Sequence, residues 1–344
     1  MSAFAPYLKS ALSGARLHPA AMRDAMDLLL EGAASDVEAA GFLSALKVRG
    51  ETVDELVAAA EAMRARALAV DAPEDVVDTC GTGGDGADTI NISTGAAILA
   101  AACGARVAKH GNRAVSSKSG SSDVLTALGV NIHAGPDRVE AAIREAGIGF
   151  LFAAAHHEAV ARVAGVRKAL GVRTIFNLLG PLTNPAGARR QLMGVYDAAL
   201  LEPLAQALGA LGGRRAWTVH GRDGLDEITT TGSTFVASLD DGRVTRFEIS
   251  PRDLGLPIVA PDALKGGDPG ANADALRAIF AGEKTGRAKA HRDVVALNAA
   301  AALVVADRCA TLIDGLDRAF AALDDGAAAR TLDTLVAVTN GGAQ

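Results

Sequence analysis

The first 70 residues place apolar and polar positions at the spacing of helices. Met22 and Met26 lie four residues apart, and apolar side chains recur at this spacing, so that successive helical turns present one apolar face. Ser/Thr-x-x-Glu capping boxes open two further segments, at 35–38 and 52–55, and such boxes satisfy the free amide groups of a helix start. The pattern predicts a small unit of capped helices without strands.

From Pro73 onward, short apolar runs alternate with helical patterns. The predicted strands are VVDTC (76–80), ARVAKHG (105–111), IGFLFA (148–153), RRQLMGVYD (189–197) and AWTVHG (216–221). The stretch 233–250 predicts a hairpin with Asp241-Gly242 at its tip. Strands that alternate with helices pair in parallel, so the sequence predicts an α/β fold with a mainly parallel central sheet. The loops that follow such strands meet at one edge and bind ligands there.

The stretch 156–188 returns to a helical pattern and ends in a turn rich in proline and glycine. We expect this stretch to cross back to the N-terminal helices. The prediction is a small all-helical domain over 1–71, with a discontinuous return at about 158–188. A large α/β domain then comprises 72–157 and 189–344.

The composition narrows the classes of partner. Over 344 residues the net charge is −6 and only 3% of residues are aromatic, which argues against nucleic acid and against a membrane interface. The N-terminal stretch MSAFAPYLKS has no apolar core of a signal sequence, and no apolar run reaches the length of a membrane span. Cys80, Cys103 and Cys309 lack metal-ligand spacing and are interpreted as free thiols of a reducing compartment. Cys80 is interpreted as a packing thiol. We expect a cytoplasmic protein.

A glycine-rich loop follows the first predicted strand. Gly81, Gly83, Gly84 and Gly86 lie between that strand and a helix, and glycine lets backbone amides approach an anion closely. The sequence Asn-Ile-Ser-Thr at 91–94 adds polar groups where a helix start offers free amides. A tight turn with an ordinary cap would look the same. The loop has neither the lysine of a Walker loop nor the spacing of a dinucleotide fingerprint.

The stretch KHGNRAVSSKSGSSD at 109–123 follows the next strand. It carries Lys109, Arg113 and Lys118, together with five serines, and almost nothing apolar. Three cations and many small donors suit several phosphate oxygens at once. We favour a ligand loop over a merely solvated one.

Two further features contain residues that could bind a metal ion or a substrate. The adjacent carboxylates Asp226 and Glu227 follow the strand AWTVHG, and hard oxygens at a strand end suit Mg²⁺, which also borrows phosphate oxygens. Arg167 lies on the crossover stretch. It either faces solvent or grips a carboxylate bidentately, and the sequence leaves both alternatives open.

Taken together in order, these motifs resemble a known family. The series GTGGDG, NIST, KHGNRAVSSKSGSSDVLTALG, HH, VRKALGVRTIFNLLGPLTNP and HGRDGLDEI, over about 78–229, is similar to the anthranilate phosphoribosyltransferases. The resemblance implies a homodimer whose subunits have a small helical domain and a large α/β domain. It implies transfer of the phosphoribosyl group of 5-phosphoribosyl 1-diphosphate to the amine of anthranilate, with diphosphate released. Mg²⁺ is the implied cofactor.

The resemblance also implies site residues. The residues that would hold phosphoribosyl diphosphate are Gly81, Gly84, Asp85, Thr89, Asn91, Ile92, Ser93, Thr94, Lys109, His110, Gly111, Asn112, Arg113, Ala114, Val115, Ser116, Ser117 and Ser121. Those that would line the anthranilate path are Gly81, His110, Asn112 and Arg167. The implied Mg²⁺ ligands are Ser93, Asp226 and Glu227. We expect no catalytic acid or base, because positioning and leaving-group stabilisation suffice, with Lys109 and Arg113 in support.

Two alternatives remain. A pyrimidine-nucleoside phosphorylase of the same fold would use inorganic phosphate, but the long donor-rich loop and the paired acids favour the transferase. A non-catalytic relative that binds nucleic acid through the same groove is disfavoured by the acidic balance and the sparse aromatics.

Overall fold

A computed structural model describes residues 2–113 and 118–342 of the chain. Four helices open it: α1 (Ala5–Leu12), α2 (Pro19–Glu31), α3 (Asp36–Arg49) and α4 (Val53–Arg64). The capping boxes of Ser35 with Glu38 and of Thr52 with Glu55 are both formed. Met22 and Met26 are fully buried, so the helical pattern of the sequence does correspond to a packed core.

The strands described form one seven-stranded sheet. They are β1 (Val77–Asp78), β2 (Val107–Gly111), β3 (Ile148–Phe152), β4 (Arg190–Gly194), β5 (Arg215–Gly221), β6 (Thr234–Asp240) and β7 (Arg243–Ile249). Their order is β3-β2-β1-β4-β5-β6-β7, with β1 to β5 parallel and β6 and β7 antiparallel. The predicted α/β class with a mainly parallel sheet is confirmed, and Asp241-Gly242 forms the hairpin tip.

Helices cover the sheet and extend the helical unit. They are α5 (Ile92–Ala102), α6 (Ser121–Ala127), α7 (Pro136–Glu145), α8 (Ala153–His156), α9 (Ala164–Leu170), α10 (Ile175–Leu182), α11 (Leu201–Ala210), α12 (Pro269–Phe280), α13 (Gly286–Val305), α14 (Leu312–Asp324) and α15 (Ala327–Thr339). Short 3₁₀ turns add Glu158–Val163, Ala198–Leu200, Pro251–Leu254 and Pro261–Leu264. The apolar α13 is buried from Ala290 to Val305 and packs against α5 and α14. No helix of the part of the chain described here is long and apolar enough to cross a membrane.

The crossover stretch is broken into shorter pieces than its sequence pattern suggests. A 3₁₀ turn is followed by α9, which ends at Gly171 with a left-handed φ of 61°. The next helix, α10, packs against α3 and α4, and α9 also packs against α3. The segment thus joins the core of the N-terminal helices. The domain boundaries at about 71 and 188 stay a prediction.

The strand order places a crevice at the centre of the sheet. The chain runs from β1 outward through β2 to β3, and then returns to add β4 on the other side of β1. The connections therefore diverge between β1 and β4, and ligands of open α/β sheets bind outside the carboxyl ends of the strands at such a switch point. The glycine-rich loop after β1 lies at this place.

Candidate active site

The glycine-rich loop presents free backbone amides. Gly83, Gly84 and Gly86 have φ values of +68°, +79° and +73°, a left-handed region that other residues avoid. Within residues 2–113 and 118–342, the amides of Gly84, Asp85 and Gly86 have no hydrogen-bond acceptor in the protein. Successive unpaired N–H groups in a turn of this kind form a concave site for an anion.

Close backbone contact fixes this loop against the neighbouring strand. A Cβ on Gly81 would lie 3.0 Å from the carbonyl oxygen of Gly194 at the end of β4. A Cβ on Gly194 would overlap the carbonyl oxygen of Asp226. Three backbone segments therefore stack where only glycine fits. Gly194 was not singled out from the sequence, although a glycine near the end of the predicted strand 189–197 was the available signal.

Three carboxylates meet beside the loop. Asp226 Oδ2 accepts a hydrogen bond from the Gly83 amide at 2.8 Å, and the Asp226 amide donates to Asp85 Oδ2 at 3.3 Å. Glu227 Oε1 accepts from the Ser93 amide at 3.1 Å. The geometry brings together the glycine loop, the start of α5 and the loop after β5, as the sequence suggested. Asp85, which was assigned to the sugar diphosphate, lies within the carboxylate cluster.

Burial and mutual repulsion raise the pKa values of Asp226 and Glu227. Burial is the main cause for Asp226, whose pKa lies well above its ordinary value, and the charges of Asp85 and Glu227 raise it further. Burial raises the pKa of Glu227 to about 7, although Lys109 and Ser93 act in the opposite direction. Clustered, half-buried carboxylates of this kind favour a cation. Their hard oxygens, with the Ser93 hydroxyl next to Glu227, fit Mg²⁺.

Lys109 supplies the nearest buried positive charge. It is 2% exposed, and its Nζ donates to the carbonyl and the hydroxyl oxygens of Thr79 at 3.2 Å each. The ammonium thus lies beneath the glycine loop, at the ends of β1 and β2. Its positive charge opposes the rise in the pKa values of Glu227 and of the buried Asp78. Direct contact of Lys109 with a phosphate stays a prediction.

The side chain of Asn91 forms hydrogen bonds within the protein. Its Oδ1 accepts from Ser119 Oγ at 3.1 Å and from Asn272 Nδ2 at 2.9 Å, and its Nδ2 donates to the Ser119 carbonyl at 3.1 Å. Asn91 therefore anchors the end of the basic loop to the start of α5. No pattern in the sequence pointed to Asn272, which is 1% exposed on α12.

The other residues near α5 have different settings. Thr89 forms an isolated antiparallel bridge with Lys265. Ile92 is buried in the core of the α/β unit. Thr94 is 1% exposed, and its hydroxyl has no hydrogen-bond partner in the ranges that the structure describes. Their contacts to a substrate remain predictions.

The basic loop is described on both sides of a gap. The Asn112 carbonyl accepts from the Ser122 amide at 3.3 Å and from Ser121 Oγ at 3.2 Å, which fixes the start of α6. Arg113 is exposed, and Gly111 packs closely against Phe150. Four of the residues assigned to the sugar diphosphate, Ala114, Val115, Ser116 and Ser117, lie outside the described residues.

Asn298 supports the carboxylate loop from below. It is fully buried on α13. Its Oδ1 accepts from the Ile228 amide at 3.0 Å, and its Nδ2 donates to the Ile228 carbonyl at 2.7 Å. These two bonds hold the backbone directly after Glu227. In sequence Asn298 stands out only as one polar residue in an apolar helix, and its role was missed.

Arg167 lies half-buried on α9. Its Cζ is 5.2 Å from the Phe176 ring centroid, and burial lowers its pKa. Among residues 2–113 and 118–342, no carboxylate forms an ion pair with it. A partly desolvated guanidinium without a counter-ion is suited to a carboxylate ligand. The structure thus favours the second of the two alternatives for Arg167.

His110 is part of a buried cap on α10. Its Nδ1 donates to the Gly180 carbonyl at 3.0 Å, and His157 Nε2 donates to the Thr183 carbonyl at 3.0 Å. Burial lowers the pKa of His110 to about 3 and that of His157 to about 4. Both rings are therefore neutral near pH 7.

The fold and the site define a class of enzyme. Residues 73–329 match the a/b domain of the glycosyl transferase family, and residues 5–67 match its helical bundle domain. The paired carboxylates and the glycine loop lie in the a/b part. The chain is a glycosyl transferase.

Comparison with individual proteins narrows the class. Anthranilate phosphoribosyltransferase of Methylocella silvestris is 55% identical over 340 residues, which is 99% of this chain and 96% of that protein. The crystal structure of the enzyme from Thermus thermophilus superimposes with a TM-score of 0.91 at 44% identity, covering 97% of this chain and 99% of the other. The Saccharomyces cerevisiae enzyme in complex with PRPP (phosphoribosyl diphosphate) and Mg has a TM-score of 0.89 at 27% identity, covering 98% of both chains. The chain belongs to the anthranilate phosphoribosyltransferase family.

Proposed function

We propose that this chain transfers the phosphoribosyl group of 5-phosphoribosyl 1-diphosphate to the amine of anthranilate. The products are N-(5-phosphoribosyl)anthranilate and diphosphate. The family relation supports the reaction, and one structural observation carries it. The free amides of Gly84, Asp85 and Gly86 lie next to the half-buried carboxylates Asp226 and Glu227. An anion site beside a cation site suits a metal-bound diphosphate.

The proposed chemistry depends on the leaving group. As the bond from C1 to diphosphate breaks, negative charge grows on the departing oxygens, and fixed donors stabilise it. When bound, Mg²⁺ would neutralise part of this charge as a Lewis acid, held by Asp226, Glu227 and Ser93. The amides of the glycine loop and the exposed Arg113 would bind phosphate oxygens. Asp85 lies between the two sets and would face the metal or a sugar hydroxyl.

The proposed acceptor site lies on the helical side of the cleft. The amine of anthranilate is a free base near pH 7. The site therefore has to place the amine against C1, and a strong proton acceptor is not required. Arg167 would bind its carboxylate through paired N–H groups. Neutral His110 and Asn112 would line the same path.

The reaction can be followed directly. Purified protein with Mg²⁺ and phosphoribosyl diphosphate should consume anthranilate, which is measured as loss of its fluorescence. The double variant Asp226→Asn, Glu227→Gln should lower kcat/KM by roughly three orders of magnitude, because metal-based charge stabilisation is worth several kcal/mol. The exposed Asp253 provides the control, and Asp253→Asn should retain activity. A wild-type protein that leaves anthranilate unchanged would refute the function.

Metal binding should depend on pH in a direction set by Glu227. Its pKa of about 7 in the folded protein exceeds the unfolded value of roughly 4.3. Without a cation, the folded state therefore binds extra protons, and the stability that this group contributes is lost as pH rises through about 7. Mg²⁺ replaces those protons. We expect Mg²⁺ to raise Tm more at pH 8 than at pH 6, measured by calorimetry without substrate.

The same double variant should abolish this pH-dependent gain in Tm. The histidines do not obscure the test: His110 and His157, with pKa values of about 3 and 4, add stability that is fully present above the unfolded pKa of roughly 6.5. Part of that stability is already lost at pH 6, but equally with and without Mg²⁺, so the change in Tm that Mg²⁺ causes at each pH is unaffected. An equal Mg²⁺ effect at both pH values would contradict the assignment of Glu227.

Substitution of Arg167 should change the KM for anthranilate and leave the KM for phosphoribosyl diphosphate nearly unchanged. Arg167→Ala removes a charge-assisted hydrogen bond and should raise the KM for anthranilate about tenfold or more. The KM for phosphoribosyl diphosphate should stay within about twofold. The neighbouring, exposed Lys168 offers the matched control Lys168→Ala. A larger effect on phosphoribosyl diphosphate would move Arg167 out of the anthranilate site.

We further propose a homodimer, formed through the helical unit. Val37 and Val48 are 82% and 90% exposed and lie on one face of α3, since eleven residues make three helical turns. On α1, which packs against α3, Leu12 is 65% exposed. Exposed apolar side chains on two helices that pack together indicate an interface. The free thiols Cys80, Cys103 and Cys309 are consistent with a reducing, cytoplasmic location.

The dimer has its own test. Sedimentation equilibrium should give a dimer for the native protein, and Leu12→Asp with Val48→Asp should shift it to monomer, because two charges would be buried at the interface. Ile258, 42% exposed on the α/β unit, supplies the control Ile258→Asp. A dimer unaffected by the first pair but broken by the control would place the interface elsewhere.

A further inference from the structure

Arg173 joins the helical segment to the glycine loop. It lies in the turn between α9 and α10, and its guanidinium donates a hydrogen bond to the carbonyl oxygen of Gly84. Its Cζ lies 3.8 Å from the ring centroid of Tyr196, which follows β4. A cation over an aromatic face at this distance is held in place. In the part of the chain that the structure describes, Arg173 forms no ion pair with a carboxylate.

The hydrogen bond to Gly84 has a consequence for the next amide. A peptide group is planar and trans, so its N–H points away from its C=O. Because the Gly84 carbonyl is directed at Arg173, the Asp85 N–H is directed to the opposite side of the loop. That N–H is one of the amides without an acceptor in the described ranges. Arg173 therefore determines the direction of the Asp85 N–H, which forms part of the anion site.

Gly84 is shaped to receive the guanidinium. Its φ is +79°, and a Cβ there would lie 2.8 Å from Arg173 Nη2. The preceding amide, of Gly83, is held from another direction by Asp226 Oδ2 at 2.8 Å. Asp226 and Arg173 thus bind adjacent residues of the loop from different directions.

Tyr196 aims Arg173 at this carbonyl. The Tyr196 amide donates to Thr82 Oγ1 at 3.1 Å, and the Thr82 amide donates to the Gly194 carbonyl at 2.8 Å. The backbone that carries the aromatic ring is therefore fixed relative to the first residues of the glycine loop. Stacking on a ring that is anchored in this way limits the positions open to the guanidinium.

We propose that Arg173 is a positioning residue for the diphosphate of the phosphoribosyl donor. It acts through the Gly84 carbonyl, which it holds so that the Asp85 amide faces the anion. This inference rests on the proposed function for the identity of the ligand. It assigns Arg173 to binding of the donor, in contrast to Arg167 on the same segment, which serves the acceptor.

Calorimetric titration with phosphoribosyl diphosphate and Mg²⁺, without anthranilate, tests the inference. Arg173→Ala should weaken donor binding about tenfold or more, the usual effect of losing a hydrogen bond from a charged group. Its KM for anthranilate should change less than about twofold. Tyr196→Phe keeps the ring and should bind as the native protein does, whereas Tyr196→Leu should weaken donor binding. Arg162→Ala, an exposed position in the same crossover segment, is the matched control.

Failure of this inference can be distinguished from failure of the proposed reaction. If anthranilate is not consumed, titration with inorganic diphosphate and Mg²⁺ still reports the effect of Arg173 on the anion site. If Arg173→Ala does not fold, Arg173→Lys and Tyr196→Leu carry the test, since the lysine has neither the planar fork nor its stacking. Unchanged donor binding in these variants, or equal weakening of both substrates, would overturn the inference.

Discussion

The negative charge gathered at Asp85, Asp226 and Glu227 is the constraint on which this site depends. Clustered, half-buried carboxylates repel one another, and a nearby cation is needed for all of them to ionise readily. Lys109 supplies one charge from beneath the loop and acts on Glu227, but it is bound to Thr79. The arrangement therefore remains short of positive charge on its open side. An acidic glycine loop is then no contradiction: its carboxylate serves a metal complex, and its amides serve the anion.

Backbone contacts hold these charges in place. The loop after β1, the end of β4 and the loop after β5 come from distant parts of the chain, and they touch through Gly81, Gly194 and Asp226. Asn298 then binds both backbone groups of Ile228. Because the contacts involve main-chain atoms, side-chain motion does not relax them. The positions of the carboxylates are determined by sheet topology, with little freedom left to the loops.

The sequence contained most of the architecture and the outline of the site. Strand and helix patterns, capping boxes and the Asp-Gly hairpin tip are local signals, and the structure agrees with them. Asp226, Glu227 and the glycine loop could be found because their chemistry is concentrated within a few residues. The roles of Gly194, Asn272, Asn298 and Arg173 were missed, since each acts on a partner far away in sequence. The broken crossover stretch was also missed, because Gly171 ends α9 inside a continuous helical pattern.

The end of α10 explains how a helical segment can carry residues of a site built on a sheet. The last four carbonyls of a helix lack partners within it. Here Gly180 accepts from His110, Pro181 from Gln191 Nε2 at 2.8 Å, Leu182 from Arg64 Nε at 2.8 Å and Thr183 from His157. Three of these donors belong to the α/β unit and one to α4, so the helix end is fixed to both. Because α10 directly follows the turn that contains Arg173, anchoring this helix also anchors the backbone of that turn.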